Sequence, residues 1–296
     1  MIAQFLSYDE PLFRPPSEAY SAIFQVTTGC SWNKCAFCEM YTSKKFKIKP
    51  MDLVDKEIDR MAEMLPQTRK VFLADGNAMV LSFSKLENIL DKLRCRFDHL
   101  VRVSAYATPS DLQNKTDEEL KLLERKGLKL LYVGIETGNE ELLTRINKGE
   151  TRESIRINLV KARKAGIKLS VMILTGLGGK QLSEEHARDS ANIVNEIQPE
   201  YLSTLVLSYP YGLDHFRSRF AGDFEPLDLS GLLNEQFLFL NETALDKTVF
   251  RSDHASNYLV LKGILGRDKS QLLDKLKQSI NDPFHPEIRA EWMRGL

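Results

Sequence analysis

The feature that most restricts the fold is an alternation, sustained over the first two thirds of the chain, of short β-branched or aromatic runs with amphipathic stretches. Apolar residues at three- and four-residue intervals mark helices with one buried face, and short apolar runs bounded by turn residues mark buried strands. Six strands are read at 21–27, 70–74, 100–105, 129–135, 168–174 and 201–207. Between them lie helical faces formed by Ile58, Met61, Ala62 and Leu65, by Leu86, Ile89, Leu90 and Leu93, and by Ile155, Leu159 and Ala162, with a further helix over 184–197. Thr116 with Glu119 makes a capping box, and Gly127 and Gly166 stand where helices should stop. Beyond Pro210 the alternation breaks down, leaving a helix around 230–240 and a terminal one with Leu272, Leu273, Leu276 and Ile280. Repeated β/α crossovers build a doubly wound sheet or a full or partial barrel, and the pattern leaves both open. In either, chemistry belongs at the carboxyl ends of the strands.

The 296 residues provide for one large core. A hydrophobic content of 43% and a charged content of 28% exclude wholesale disorder. Lysine plus arginine equals aspartate plus glutamate at 41 each, so no global field draws the chain onto nucleic acid or an acidic membrane. No apolar run approaches the ~18 to 20 residues that cross a bilayer. Segment 1–16 carries acids and prolines where a signal peptide has its apolar core. A cytoplasmic protein without membrane attachment is expected. The cluster Lys44-Lys45-Phe46-Lys47 reads as a solvated loop and not as an RNA-binding patch, because a single aromatic interleaves it.

The first strand feeds into Gly29-Cys30-Ser31-Trp32-Asn33-Lys34-Cys35-Ala36-Phe37-Cys38, which holds three of the four cysteines. That crowding suits a metal better than structural disulfides and fits a reducing compartment. Soft thiolates select zinc, Cu(I) or iron–sulfur clusters. A structural zinc site is normally closed by four ligands, yet the first histidine is His99 and the remaining cysteine is Cys95. On a [4Fe-4S] cube, three cysteines leave one iron open to an exogenous ligand. The C-x4-C-x2-C spacing is also that of plant-type [2Fe-2S] ferredoxins, in which Cys95 would be the fourth ligand; those are small domains, whereas this loop heads a six-unit chain.

A three-cysteine loop after the first strand of a β/α series resembles the radical S-adenosylmethionine (SAM) superfamily, most of whose members carry C-x3-C-x2-C there; here the first gap is four. The resemblance implies an α/β fold, a partial (β/α)6 barrel over 17–210, with an irregular segment 1–16 before it and an extension 211–296 closing the barrel mouth. It implies a [4Fe-4S] cluster on Cys30, Cys35 and Cys38, SAM as cofactor, and Phe37 near the adenine. Reductive cleavage of SAM to methionine and a 5′-deoxyadenosyl radical, followed by hydrogen abstraction, is the implied chemistry. The protein supplies orientation, redox tuning and exclusion of water.

Later motifs extend the resemblance. Asp75-Gly76-Asn77 stands where the family carries a glycine-containing turn that receives the SAM amino group. Leu131-Tyr132-Val133-Gly134-Ile135-Glu136-Thr137-Gly138, with Ile146-Asn147-Lys148-Gly149, resembles the fourth unit of the coproporphyrinogen-oxidase-like and Elongator-like branch. There a strand-end acid touches SAM and a later basic residue pairs with the SAM carboxylate, roles that carry over to Glu136 and Lys148. From their place at the end of the third strand, Ser104 is expected to be a further SAM contact and Tyr106 to face substrate. Leu174 to Gly176 resembles the segment beside the adenine, although the acidic residue that follows it in the family has no clean counterpart.

With the strand ends so assigned, the polar string 250–258 is left for substrate, through Arg251, His254 and Asn257. Arg251 can hold a carboxylate in a bidentate fork, and the other two donate and accept. A small-molecule substrate and a flavodoxin or ferredoxin reductant are expected. The alternatives are a tRNA- or peptide-modifying enzyme and an iron–sulfur carrier or scaffold; cleavage of SAM separates enzyme from carrier.

Overall fold

The computed structural model describes residues 8–282 and 284–294; residues 1–7 of the expected N-terminal segment, and Pro283, Gly295 and Leu296 of the expected extension, lie outside them. All six expected strands are present. The chain divides into two compact units, the first made of Met1–Asn33, Cys38–Val133 and Lys161–Leu169, the second of Lys34–Phe37, Gly134–Val160 and Ser170–Leu296.

In the first unit β1 (Ala22–Gln25), β4 (Lys70–Ala74), β5 (Arg102–Tyr106) and the start of β6 (Leu128–Glu136) hydrogen-bond in that order, all parallel. A short antiparallel pair, β2 (Thr27–Thr28) and β3 (Lys47–Ile48), flanks the cysteine loop. Helices α1 (Met51–Met64), α2 (Phe83–Arg96) and α4 (Asp117–Arg125) turn their apolar stripes inward, burying Ile58 and Met61, Leu86, Ile89, Leu90 and Leu93, and Leu120 and Leu123. A short α3 (Pro109–Gln113) precedes α4, whose capping box forms as expected, Glu119 N–H donating to Thr116 Oγ1 at 3.1 Å. Gly127 and Gly166 end the helices α4 and α6 (Arg152–Lys164) at φ +115° and +92°, a conformation natural to glycine.

In the second unit β7 (Lys168–Thr175), β8 (Tyr201–Val206) and β9 (Val249–Ser252) are parallel, and β10 (Leu261–Ile264) closes the order antiparallel to β9. Helix α9 (Leu229–Glu242) packs against both α7 (Gly179–Ile197) and α10 (Leu265–Asn281), while α5 (Glu140–Arg145) and α8 (Leu213–Arg219) are short. Partners in register share a face, so Met172, Ser203, Arg251 and Lys262 form one row across β7 to β10. The opposite face holds Val171, Leu202, Phe250 and Leu261, all buried; on the first face Arg251 and Lys262 are exposed. Among the described residues no helix is long and apolar enough to cross a membrane.

Candidate active site

The turn after β4 is built into the cysteine loop. Asp75 is fully buried, and its Oδ2 accepts from the Gly29 N–H (3.1 Å), Gln25 Nε2 (3.2 Å) and Lys44 Nζ (3.0 Å). Asn77, also fully buried, accepts from the Ser31 N–H at 3.0 Å and donates to Ser31 Oγ at 2.7 Å and to Asp111 Oδ1 at 3.0 Å. Between them Gly76 has no room for a side chain, since a Cβ there would lie 2.6 Å from Cys30 Cα. Asp75 and Asn77, expected to receive the SAM ammonium, hold the loop backbone at Gly29 and Ser31 and bond neighbouring side chains. What remains is Asp75 Oδ1, a buried oxygen without a hydrogen-bond partner. Lys44, expected in a solvated loop, is buried in an ion pair with Asp75, while its neighbours Lys45 and Lys47 are exposed. The correction has a simple cause: the carboxylate that draws Lys44 inward is far away in sequence.

Burial pushes the Tyr41 phenol up, and the Asp75 carboxylate beside it adds to the shift. Burial, followed by Asp75 and Glu18, likewise raises Tyr106, which meets Phe72 edge-on at 5.0 Å between centroids and Tyr132 at 6.2 Å. Ser104 is buried and donates to the Val71 carbonyl at 3.2 Å, so its proton is engaged on β4.

In the second unit the end of β6 turns sharply. Glu136 adopts φ +67°, and its buried carboxylate folds back over Gly134, where a Cβ would come within 2.0 Å of Oε1. Lys148 Nζ donates to Glu136 Oε1 at 2.9 Å and stands 5.5 Å from the centroid of the Phe37 ring. Glu136 Oε2 is buried without a partner. Phe37 also packs against the cluster containing Leu174 and Leu177. The structure thus gathers Phe37, Glu136, Lys148 and Leu174.

A buried polar network stands beneath the ends of β6 and β7. His186 lies between Thr137 Oγ1, 2.8 Å from Nδ1, and the Leu174 carbonyl, 3.0 Å from Nε2. Burial lowers its pKa to about 4, so the ring is neutral and Nε2 carries the proton. Gly176 (φ +84°) donates its N–H to Glu235 Oε1 at 2.6 Å, and Ser183 Oγ donates to Oε2 at 2.6 Å. Burial raises Glu235 to about 7 despite those bonds. Neither His186 nor Glu235 stands out in the sequence: His186 falls on a helix face of ordinary pattern, and Glu235 joins Gly176 only through the fold.

The three residues expected to bind substrate differ in exposure, and the Asn257 N–H donates to the His254 carbonyl at 3.1 Å. Arg251 is exposed, donates to the Phe250 carbonyl at 2.9 Å, and has no acidic partner among the described residues. His254 is exposed, and its Nδ1 accepts from the Ser256 N–H at 3.1 Å; desolvation lowers its pKa, against the nearby Asp253. Asn257 is buried, donating to the Thr204 carbonyl at 2.9 Å and accepting from the Val206 N–H at 3.1 Å.

The donor set suits an iron–sulfur cube with SAM. Cys30, Cys35 and Cys38 are half-exposed and in no disulfide, whereas Cys95 is exposed in the last turn of α2. Among the described residues no three His, Cys, Asp or Glu side chains are arranged around a single ion; a cube asks for three thiolates on three different irons. Glu136 Oε2 and Asp75 Oδ1 are spare buried acceptors of the kind an ammonium or hydroxyl fills.

Residues 24–191, more than half the chain, match the model of the radical SAM superfamily. The heme chaperone HemW of Bacillus subtilis is 23% identical over 180 residues, covering 58% of this chain and 47% of that protein. The ribosomal protein uS12 methylthiotransferase RimO of Caldanaerobacter subterraneus is 25% identical over 207 residues, covering 68% of this chain and 46% of that protein. The chain therefore spans about half the length of these relatives. Among solved structures, the radical SAM methyltransferase TsrM of Kitasatospora setae superposes with a TM-score of 0.52 at 20% identity, over 63% of this chain and 34% of that one. Methylornithine synthase PylB gives 0.51 at 14% identity, over 87% and 81%. The fold is shared with these partial-barrel enzymes, and the chain belongs to the radical SAM superfamily, whose cofactors are a [4Fe-4S] cluster and SAM.

Proposed function

We propose that this chain holds a [4Fe-4S] cluster on Cys30, Cys35 and Cys38 and uses it to cleave SAM reductively, abstracting hydrogen from a small-molecule substrate. When bound, the cluster and SAM supply an electron and a primary carbon radical; the protein's part is placement and exclusion of solvent. The observation that carries the reading is the nearly buried Glu136–Lys148 pair at the end of β6, with a carboxylate oxygen unpartnered and Phe37 beside it. In this reading Glu136 Oε2 accepts from SAM, Lys148 faces its carboxylate, and Phe37, Leu174 and Gly176 flank the adenine. Asp75 Oδ1 and the Gly76 and Asn77 backbone take the ammonium, with Ser104 and Tyr106 nearby. Arg251 faces substrate from the row it shares with Ser203 and Lys262, and a carboxylate is the group its guanidinium, without an acidic partner among the described residues, fits. Residues 17–210 form the barrel and 211–296 the extension toward its mouth, in a cytoplasmic protein served by a flavodoxin- or ferredoxin-type reductant.

The balanced charge favours a small molecule over RNA. L-lysine 2,3-aminomutase of Fusobacterium nucleatum, 34% identical over 102 residues that cover 32% of this chain and 22% of that protein, points the same way. The likeness to the methylthiotransferase RimO keeps a macromolecular substrate as the second reading. Anaerobic reconstitution should give about four irons and four sulfides per chain, unaffected by Cys95→Ser, and dithionite with SAM should release 5′-deoxyadenosine. A reducible cluster that leaves SAM intact would make the chain an electron carrier.

A further inference from the structure

The stretch that carries Cys35 is fastened by residues far along the chain. The Ala36 N–H donates to the Ile146 carbonyl at 2.8 Å, and Ala36 is buried in a cluster with Phe216, Phe220 and Phe224. Arg219, the last residue of α8, donates from Nη2 to the carbonyl oxygen of Cys35 at 2.7 Å. Phe220 follows it directly and lies 6.0 Å from the Arg145 guanidinium, tying α8 to the end of α5.

We propose that Arg219 is a positioning residue that raises the reduction potential of the cluster bound through Cys35. The proposal rests on the reading of Cys35 as a ligand. Two effects act in the same direction. Reduction adds an electron to the cluster, and a cation at the ligand's own peptide favours the more negative state. The bond also engages the negative end of the Cys35 carbonyl dipole, which otherwise opposes the added electron. Arg219 is half-buried, where charges interact more strongly than in bulk water. A bond that merely pinned the loop would need no charge, since a neutral amide pins as well.

The test uses the full chain, reconstituted without oxygen, as wild type, Arg219→Lys, Arg219→Gln and Arg219→Ala. Iron and sulfide are counted, and the midpoint potential is read by redox titration followed by electron paramagnetic resonance, without SAM. Arg219→Gln, which keeps a donor and loses the charge, should retain the cluster and shift to a more negative potential by about 59 mV or more, tenfold in a one-electron equilibrium. Arg219→Lys should stay nearer the wild type than Gln does, and Ala should shift at least as far as Gln. Full clusters at an unchanged potential in both Gln and Ala overturn the proposal. Loss of the cluster in Gln overturns it as well, because Arg219 is then an anchor alone. A wild type that forms no four-iron cluster removes the underlying reading instead, so the two failures are told apart by the iron count.

Discussion

A Cβ atom on Gly76 would lie 2.2 Å from the carbonyl oxygen of Gly29. The turn after β4 and the start of the cysteine loop touch backbone to backbone, and no flexible side chain is present to give way. Gly76→Ala should therefore displace the loop, lowering stability by about 1–3 kcal/mol, as overpacking does elsewhere. Iron content after reconstitution should fall with it. A variant with wild-type iron and an unshifted urea midpoint would show that the loop has slack.

Glu136→Ala should weaken SAM binding at least tenfold, about 1.4 kcal/mol, while leaving the iron count intact. The carboxylate is buried and has a free oxygen, but it reaches Lys148 and not a thiol. Calorimetry on the reconstituted protein measures it, and unchanged affinity would remove Glu136 from the cofactor site.

The buried neutral pair His186 and Glu235 predicts a particular pH response. Unfolded, the imidazole titrates near 6.5 and the carboxyl near 4.5; folded, they titrate near 4 and near 7. His186 therefore contributes stability that is lost as pH falls from 6.5 toward 4, and Glu235 contributes stability that is lost as pH rises from 4.5 toward 7. Between pH 4.5 and 6.5 folded and unfolded chains hold one proton on the pair, and the two slopes cancel. Glu235→Gln removes only the second slope. Relative to wild type it should gain on the order of 3 kcal/mol between pH 4.5 and 7, read by urea unfolding at both ends. A difference that does not vary with pH would mean that Glu235 is ionised throughout.

Arg251 and Asn257 should separate cleanly. Asn257→Ala leaves the Thr204 carbonyl and the Val206 N–H unpaired and should destabilise by about 1–3 kcal/mol. Arg251→Ala removes an exposed side chain and should leave the urea midpoint in place while abolishing turnover, with dithionite-driven SAM cleavage preserved. Equal loss of stability in the two variants would place both in the scaffold.

The strands and most helices were legible because local chemistry specifies them. The capping box at Thr116, the glycines at 127 and 166 and the buried stripes of α1 and α2 each act within a few residues. Glu136 and Lys148 could be assigned to one site in advance because a family pattern places them one turn-and-helix apart, but the bond between the two was not legible. Long-range partnerships were not legible. Lys44 reads as a surface cation until Asp75 meets it, 31 residues away, and Glu235 reaches Gly176 across 59. The last third was hardest to read because the β/α alternation that locates the earlier strands stops near Pro210, leaving the four-residue β9 and β10 without that context.

The polar string after β9 also bears on how such a chain can diversify. β9 pairs with β8 only as far as the row of Ser203, and beyond it the Asn257 amide takes the Thr204 carbonyl and the Val206 N–H, as another strand would. One side chain thus stands in for the continuation of a sheet edge. The residues between Ser252 and Asn257 are excused from backbone pairing with β8, and their number and composition can change without exposing it. A fold that ends its strand ladder on an amide keeps a stretch of sequence open to revision beside a site that must stay rigid.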